Sequence, residues 1–437
     1  MKTKVPLFAL AASLSLLPLA HLHSQTVRTY VGPGADITSI SNWSPNTPAF
    51  ANGDTLRWDN QITGNLSLST SSVTAYWVNL SLTSAQVSNV AISAIENNFR
   101  IRNITIDSGS GALSISGGLR TQGTSAGGTI FWTNNSSNTA TISAYFNNTS
   151  NVAKDIRTSG QGTWLISGTL TGNHDIGWII DGPGLTSITS TSNNNNRGTS
   201  VLGGTLQVSV LANGGAGSSI GDTSNAASNL ILNGGTLSLV STAARSTDRL
   251  FQLGQTTASA IGTIENNSSN SSHTLSFTNT GSITYGTNNQ TRTLRLGGSN
   301  TGANSLAVTI GDNGSGAVSL EKQGAGRWDL TNASNSYTGG TTVSAGTLVL
   351  TATGVAGSGD ITASGGTTRI AANATMNNDI VVTSSTATVE RLLSSSAAFN
   401  LGVGAGSTFT GNLVGGMGSL GVEIQDGENT SARTQTK

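Results

Sequence analysis

Apolar and polar residues alternate along this chain in short runs, each closed by Gly, Asn, Ser or Thr. Arg327–Leu330 and Thr347–Leu350 set the type. Successive side chains of a strand point to opposite faces, so Leu348 and Leu350 share one face and Thr347 and Val349 the other. The same period runs through Asn65–Thr70, Thr74–Leu80, Ile101–Ile106, Ala112–Ser116, Thr129–Trp132 and Thr141–Phe146. It continues in Leu206–Val210, Leu230–Leu232, Thr236–Val240, Thr274–Phe277, Thr293–Leu296, Leu306–Ile310 and Val318–Glu321. Ala85–Phe99 fits a helix or a strand; Val90 and Ile92 sit at strand spacing, and the segment is read as β. Strands this short leave an apolar row and two edges in water, so they must stack.

The spacing of a small-Gly-Thr unit supports stacking. It occurs at Gly203–Leu206 and Gly234–Leu237, then at Ala345–Leu348 and, more weakly, Gly365–Thr368, separations of 31 and 20 residues that suit one coil of a solenoid. About 400 residues at 20 to 25 per coil predict roughly 16 to 20 coils and a rod on the order of 80 to 100 Å long. Asn-rich stretches such as Asn193–Asn196 and Asn266–Asn270 suit tight corners, because Asn accepts a positive φ, bonds nearby backbone and can pair from coil to coil.

Longer runs in the sequence already repeat one another. Gly160-Gln-Gly-Thr-Trp164-Leu-Ile-Ser matches Gly324-Ala-Gly-Arg-Trp328-Asp-Leu-Thr, and Gly198–Val208 matches Gly340–Leu350. The stretch Gly324–Leu350 resembles the autotransporter-associated β-strand repeat, also called the passenger-associated transport repeat. It carries the repeat's Gly-x-Gly-x-Trp-x-Leu start, Tyr-Thr-Gly-Gly-Thr-Thr-Val centre and Gly-Thr-Leu end. The copy at 160–208 is degraded, with Asn193–Asn196 where Tyr-Thr-Gly would stand. The resemblance implies an all-β protein, a right-handed parallel β-helix or solenoid, secreted or surface-exposed; it implies no reaction.

Composition narrows the function classes. The 437 residues carry 20 basic and 20 acidic side chains, only 9% charged in all, with 56 Gly and no Cys. A nucleic-acid partner needs a basic face, and no run of either sign is present. Without Cys, neither disulfides nor thiolate zinc sites are available. The 35% apolar share, spread at alternate positions, argues against disorder.

Residues 1–24 read as a signal peptide: Lys2 and Lys4, the apolar run Val5–Ala20, then a polar stretch to Ser24. The run is too short for a membrane span, so no stable transmembrane span is expected after cleavage. Residues 25–60, with Asn42-Trp43 and Gly53-Asp54-Thr-Leu-Arg-Trp58, are read as an N-terminal cap, which a solenoid needs to hide its first strand edge. They also resemble the opening of secreted proteins bearing this repeat. A carbohydrate-stacking platform on Trp43 and Trp58 is the alternative. Residues 61–421 form the expected solenoid, with repeat copies near 160–208 and 323–361, and 422–437 a polar C-terminal tail. The outer-membrane barrel or sorting signal that accompanies the repeat elsewhere is not legible after it, which makes a truncated passenger a further reading.

Candidate chemistry is sparse. His174-Asp175 is a tempting pair, but adjacent strand residues point to opposite faces. Polysaccharide lyases and hydrolases on β-helices group two or three carboxylates; Asp312, Glu321, Asp329 and Asp360 are isolated in sequence. Arg327 and Trp328 are read as the solvent and core faces of one strand rather than a cation–π site. No catalytic, cofactor-binding or metal residue is therefore assigned. The expected function is an exported, non-enzymatic solenoid of adhesin type from a bacterium with an outer membrane, with glycans or cell-surface components as partners. A carbohydrate-active β-helix enzyme is the alternative.

Overall fold

The computed structural model describes residues 25–391 apart from 33, 71–75, 122–127, 148–153, 172–175, 195, 256–259, 372–373 and 375, together with 420–426 and 429–435. Residues 1–24 and the His174-Asp175 pair lie outside the described residues.

The chain is an all-β parallel solenoid of about 14 turns. Three faces rise along it. The first stacks Val27–Tyr30, Thr55–Trp58 and Val78–Leu82, then passes through Gly128–Asn134, Lys154–Ser159, Ile176–Ile180 and Thr199–Val201 to Thr284–Tyr285. The second stacks Leu66–Ser69 at its base, then Ala140–Ile142, Thr163–Ile166, Leu185–Ile188, Thr205–Val208 and Thr236–Leu239, and runs on to Ile380–Val382. Val90–Ile106 and Leu113–Thr121 bend from one face to another, so the Ala85–Phe99 segment enters a strand from Val90 onward. The third face is a seven-stranded ladder from Arg245–Thr247 through Arg327–Leu330 and Thr347–Leu350 to Thr388–Arg391. Residues Leu420–Asp426 and Asn429–Gln435 pair as an antiparallel hairpin off these ladders.

The repeat spacing reports the register directly. Leu206 pairs with Leu237, and Leu348 with Thr368. Coils nevertheless vary: Ala363 stacks on Val343 twenty residues earlier, whereas Leu296 stacks on Ile264 thirty-two earlier. That spread is why the count is about 14 turns rather than 16 to 20, giving a rod of about 70 Å at ~4.8 Å per rung.

Most inward positions are apolar and close to fully buried, among them Leu80, Ile104, Trp132, Ile180, Leu206, Leu294 and Trp328. Burying side chains of that size contributes about 1.5–3 kcal/mol each before entropy is subtracted. Several runs are shifted from the sequence reading, and Thr141–Phe146 is split into Ala140–Ile142 and Tyr145–Asn147. The strand near Leu306–Ile310 is Asn304–Leu306, with Thr309 in an isolated bridge, and that near Thr74–Leu80 is Val78–Leu82. Val349, placed outward by alternation, is only 4% exposed. It lies in register between Asp329 and Arg369, one rung to either side.

Corners are built from glycine. Gly346 has φ +64°, and a Cβ there would stand 2.3 Å from Gly326 O; Gly204 has φ +57° and meets Gly182 O at 2.3 Å. Rungs stack so closely that no side chain fits between these turns. Asn meets the expectation through its side-chain hydrogen bonds and coil-to-coil pairing, and seldom through a positive φ. Among the described residues the only non-glycine positive φ values are at Asn60 and Asn289, so the corner asparagines act through their amides. Asn266 donates from Nδ2 to Asn304 Oδ1 at 2.6 Å and accepts from Ser268 N at 3.0 Å.

Candidate functional site

The aromatic residues of 25–60 point inward. Trp43 and Trp58 are each 1% exposed and meet edge to face at 5.3 Å, with Tyr30 5.3 Å from Trp43. Neither indole face is open to a sugar, so the stacking platform is excluded. Beside them a fully buried ion pair ties the segment together: Arg28 Nε donates to Asp54 Oδ2 at 2.7 Å, and its Nη atoms donate to Pro45 O and Ala49 O. Val27–Tyr30 pairs in parallel with Thr55–Trp58 and antiparallel with Trp43–Ser44, so both of its edges are occupied.

The acidic candidates stay apart. Glu321 takes Arg295 Nε at 2.7 Å, and Asp329 takes Arg327 Nε at 2.7 Å and Nη2 at 2.8 Å. Asp312 accepts the backbone N–H of Val318 and of Thr338, both at 2.9 Å. Asp360 offers its backbone oxygen to Thr341 N. Among the described residues no three His, Cys, Asp or Glu side chains converge as a metal site. His273 Nδ1 lies 3.1 Å from Ser241 O. Trp328 is buried and donates to Gly297 O at 2.8 Å, while Arg327 faces out.

Outward surfaces are less neutral than the composition suggests. Arg369 pairs with Glu390, and Arg157 with Asp181, each one rung apart. Arg197 reaches Asp155 two rungs below, Nε to Oδ1 3.0 Å, passing over Gly177; a Cβ on Gly177 would stand 2.4 Å from that carboxylate. Sequence reading missed these pairs because partners 21 to 42 residues apart meet only through the register.

Buried cations were missed as well. Lys322 Nζ donates to Gln323 O, Gly324 O and Ala345 O at 2.8, 2.8 and 2.9 Å, matching its three protons to three corner carbonyls. Burial pushes its pKa down to about 8, and does the same to Lys154, which donates to Thr121 O. Arg249 bonds the carbonyls of Ala212, Thr223 and Gly221 and the Thr223 hydroxyl, holding the 210–223 insertion onto the coil. Burial lowers its pKa against the opposing pull of Asp248 and Asp222. A signal existed: Lys322 follows Val318 and Leu320 at period two, on the inward side.

One stretch of the first face differs from the rest. Trp77, Asn79, Arg102, Asn103 and Phe131 face outward over successive rungs, and Phe131 is 47% exposed. Arg102 lies over the Trp77 ring at 4.9 Å. The pairing register shifts here: Val78 opposes Ile101 and Leu80 opposes Ile104, so two residues, Arg102 and Asn103, oppose one.

With this geometry in hand, the fold is a parallel β-solenoid, and the family model of the passenger-associated transport repeat matches its residues 320–350. The chain is also similar to the adhesin BmaC autotransporter of Brucella suis biovar 1 (strain 1330), 47% identical over 154 residues. That match takes in 35% of this chain and spans 4% of the relative's length. No solved structure matches the chain significantly.

Proposed function

We propose that this chain is a passenger-type segment of an exported, surface-associated protein of a Gram-negative bacterium, acting in adhesion without catalysing a reaction. The observation that carries this reading is the similarity to an autotransporter adhesin at 47% identity, on a chain whose continuous ladders make a stiff rod. Export would use residues 1–24 as a signal peptide, and residues 25–60 would close the ladder's first edge. Contact with carbohydrate or other surface components would come from weak contacts repeated along the rod.

The lyase or hydrolase reading gains no support from the geometry, since Glu321 and Asp329 each face an arginine rather than a second carboxylate. Fractionation of cells expressing the tagged protein, with protease added to intact cells, tests the surface assignment. Cleavage by external protease is the expected result. A soluble periplasmic protein shielded from it would defeat the proposal.

A further inference from the structure

We infer that the outward strip formed by Trp77, Asn79, Arg102, Asn103 and Phe131 is a binding surface for an acidic polysaccharide. The inference rests on the adhesin reading and gives it a place and a ligand class.

Charge is the first argument. Five outward arginines of later rungs, Arg157, Arg197, Arg295, Arg327 and Arg369, each meet a carboxylate. Arg102 meets none among the described residues; its Nε is buried without a hydrogen-bond partner, and its guanidinium lies over Trp77. A guanidinium whose plane is held by an aromatic ring can still turn its two Nη groups, end on, to a carboxylate. The uronate of a sugar polymer supplies that group.

Shape is the second. Alternation alone would turn one residue of the Arg102-Asn103 pair inward, but Ile101 and Ile104 are both fully buried and the bulge turns both intervening residues out. Bulges of this kind re-aim side chains and recur beside functional sites. Asn103 Oδ1 accepts Phe131 N at 3.0 Å and Asn79 Oδ1 accepts Asn103 N at 3.3 Å, so the amides are fixed and the Asn103 amino group is left for a ligand hydroxyl. Phe131 adds an exposed apolar ring one rung on, suited to the C–H face of a pyranose. Nucleic acid is a poorer fit, because a single arginine gives little phosphate neutralisation.

The test is affinity electrophoresis of the full chain in gels containing polygalacturonate, with neutral dextran and a DNA duplex as comparisons. Polygalacturonate is expected to retard the protein, and dextran and DNA not to. Arg102→Gln and Phe131→Ser should each weaken retardation at least about fivefold, the scale of one lost cation–π or ring contact. Arg369→Gln, remote and ion-paired, should leave it unchanged. Far-UV circular dichroism checks folding, and Phe131→Ser, at an exposed position, keeps the test open if Arg102→Gln does not fold. Absence of retardation by polygalacturonate, equal retardation by DNA, or dextran binding that ignores both substitutions overturns the site. Cell attachment that persists without polygalacturonate binding removes this strip and leaves the adhesin reading standing; loss of external protease cleavage would remove that reading instead.

Discussion

The two copies of the Gly-x-Gly-x-Trp motif occupy different corners of the solenoid. Gly160–Trp164 turns the chain from the first face to the second, since Lys154–Ser159 stacks under Ile176–Ile180 and Thr163–Ile166 under Leu185–Ile188. Gly324–Trp328 turns it from the second face to the third, since Val318–Lys322 continues the ladder of Arg292–Gly298 and Arg327–Leu330 that of Asn304–Leu306. Each corner continues a glycine column that starts on an asparagine: Gly160 sits on Asn134, and Gly298, beneath Gly324, sits on Asn266. The two asparagines do the same job, Oδ1 accepting the N–H two residues on and Nδ2 reaching the next rung, Thr163 O in one case and Asn304 Oδ1 in the other. The motif therefore specifies a bend, and the side of the triangle on which it falls is set by what precedes it.

The corners differ in what lies beneath. Under the first, Trp164 packs against Trp132 at 5.6 Å, and its Nε1 has no hydrogen-bond partner among the described residues. Under the second, Trp328 bonds Gly297 O, and Lys322 binds the turn carbonyls.

The largest expected effect tests what the corners share. Gly204→Val and Gly346→Val each place a β-branched side chain at positive φ within 2.3 Å of a carbonyl, so each should lower stability by about 3 kcal/mol or more in urea titrations. A loss at one corner only would break the equivalence. Next comes Lys322→Ala, which strands three carbonyls around a void and should cost about 3 kcal/mol. Lys322→Met should cost less, because its side chain fills the void that alanine leaves.

The same lysine gives the second corner a pH signature. Its folded pKa of about 8 lies below the ordinary 10.5. The unfolded chain therefore holds the proton over a window where the folded chain has released it, and stability should climb as pH rises from about 8 toward 10. Lys154 contributes with the same sign. Urea midpoints at intervals across that window should rise in the parent protein and rise less in Lys322→Met; equal slopes would refute the assignment.

Surface pairs should matter less. Gly177→Ala drives a methyl group into the Asp155 carboxylate and should cost about 1 kcal/mol by thermal melting, with Arg197→Gln adding little on top once the pair is broken. Arg369→Gln should change stability by no more than about 0.5 kcal/mol, since both side chains of its pair are partly exposed.

Much of this architecture could be read from the chain. Alternation located the strands, and the Leu206 to Leu237 and Leu348 to Thr368 spacings gave true registers. What stayed hidden depended on coil length. Asp155 and Arg197 meet because their separation, 42 residues, spans two coils, and no local pattern reveals that sum. Arg249 is buried because an insertion folds back onto it, which its neighbours in sequence do not announce. Lys322 was legible in principle: its place in the two-residue period put it inside, but a charged residue at an inward position reads at first as the end of a strand.

The glycine columns bear on how such a chain changes length over generations. Core residues elsewhere must complement particular neighbours above and below, so removing a layer disturbs two interfaces. A position without a side chain imposes no such matching, and Gly324 rests on Gly298 much as Gly366 rests on Gly346. Duplicating or deleting a whole layer at these bends leaves the joints unaltered, which makes the reach of the rod a quantity that recombination can adjust one step at a time.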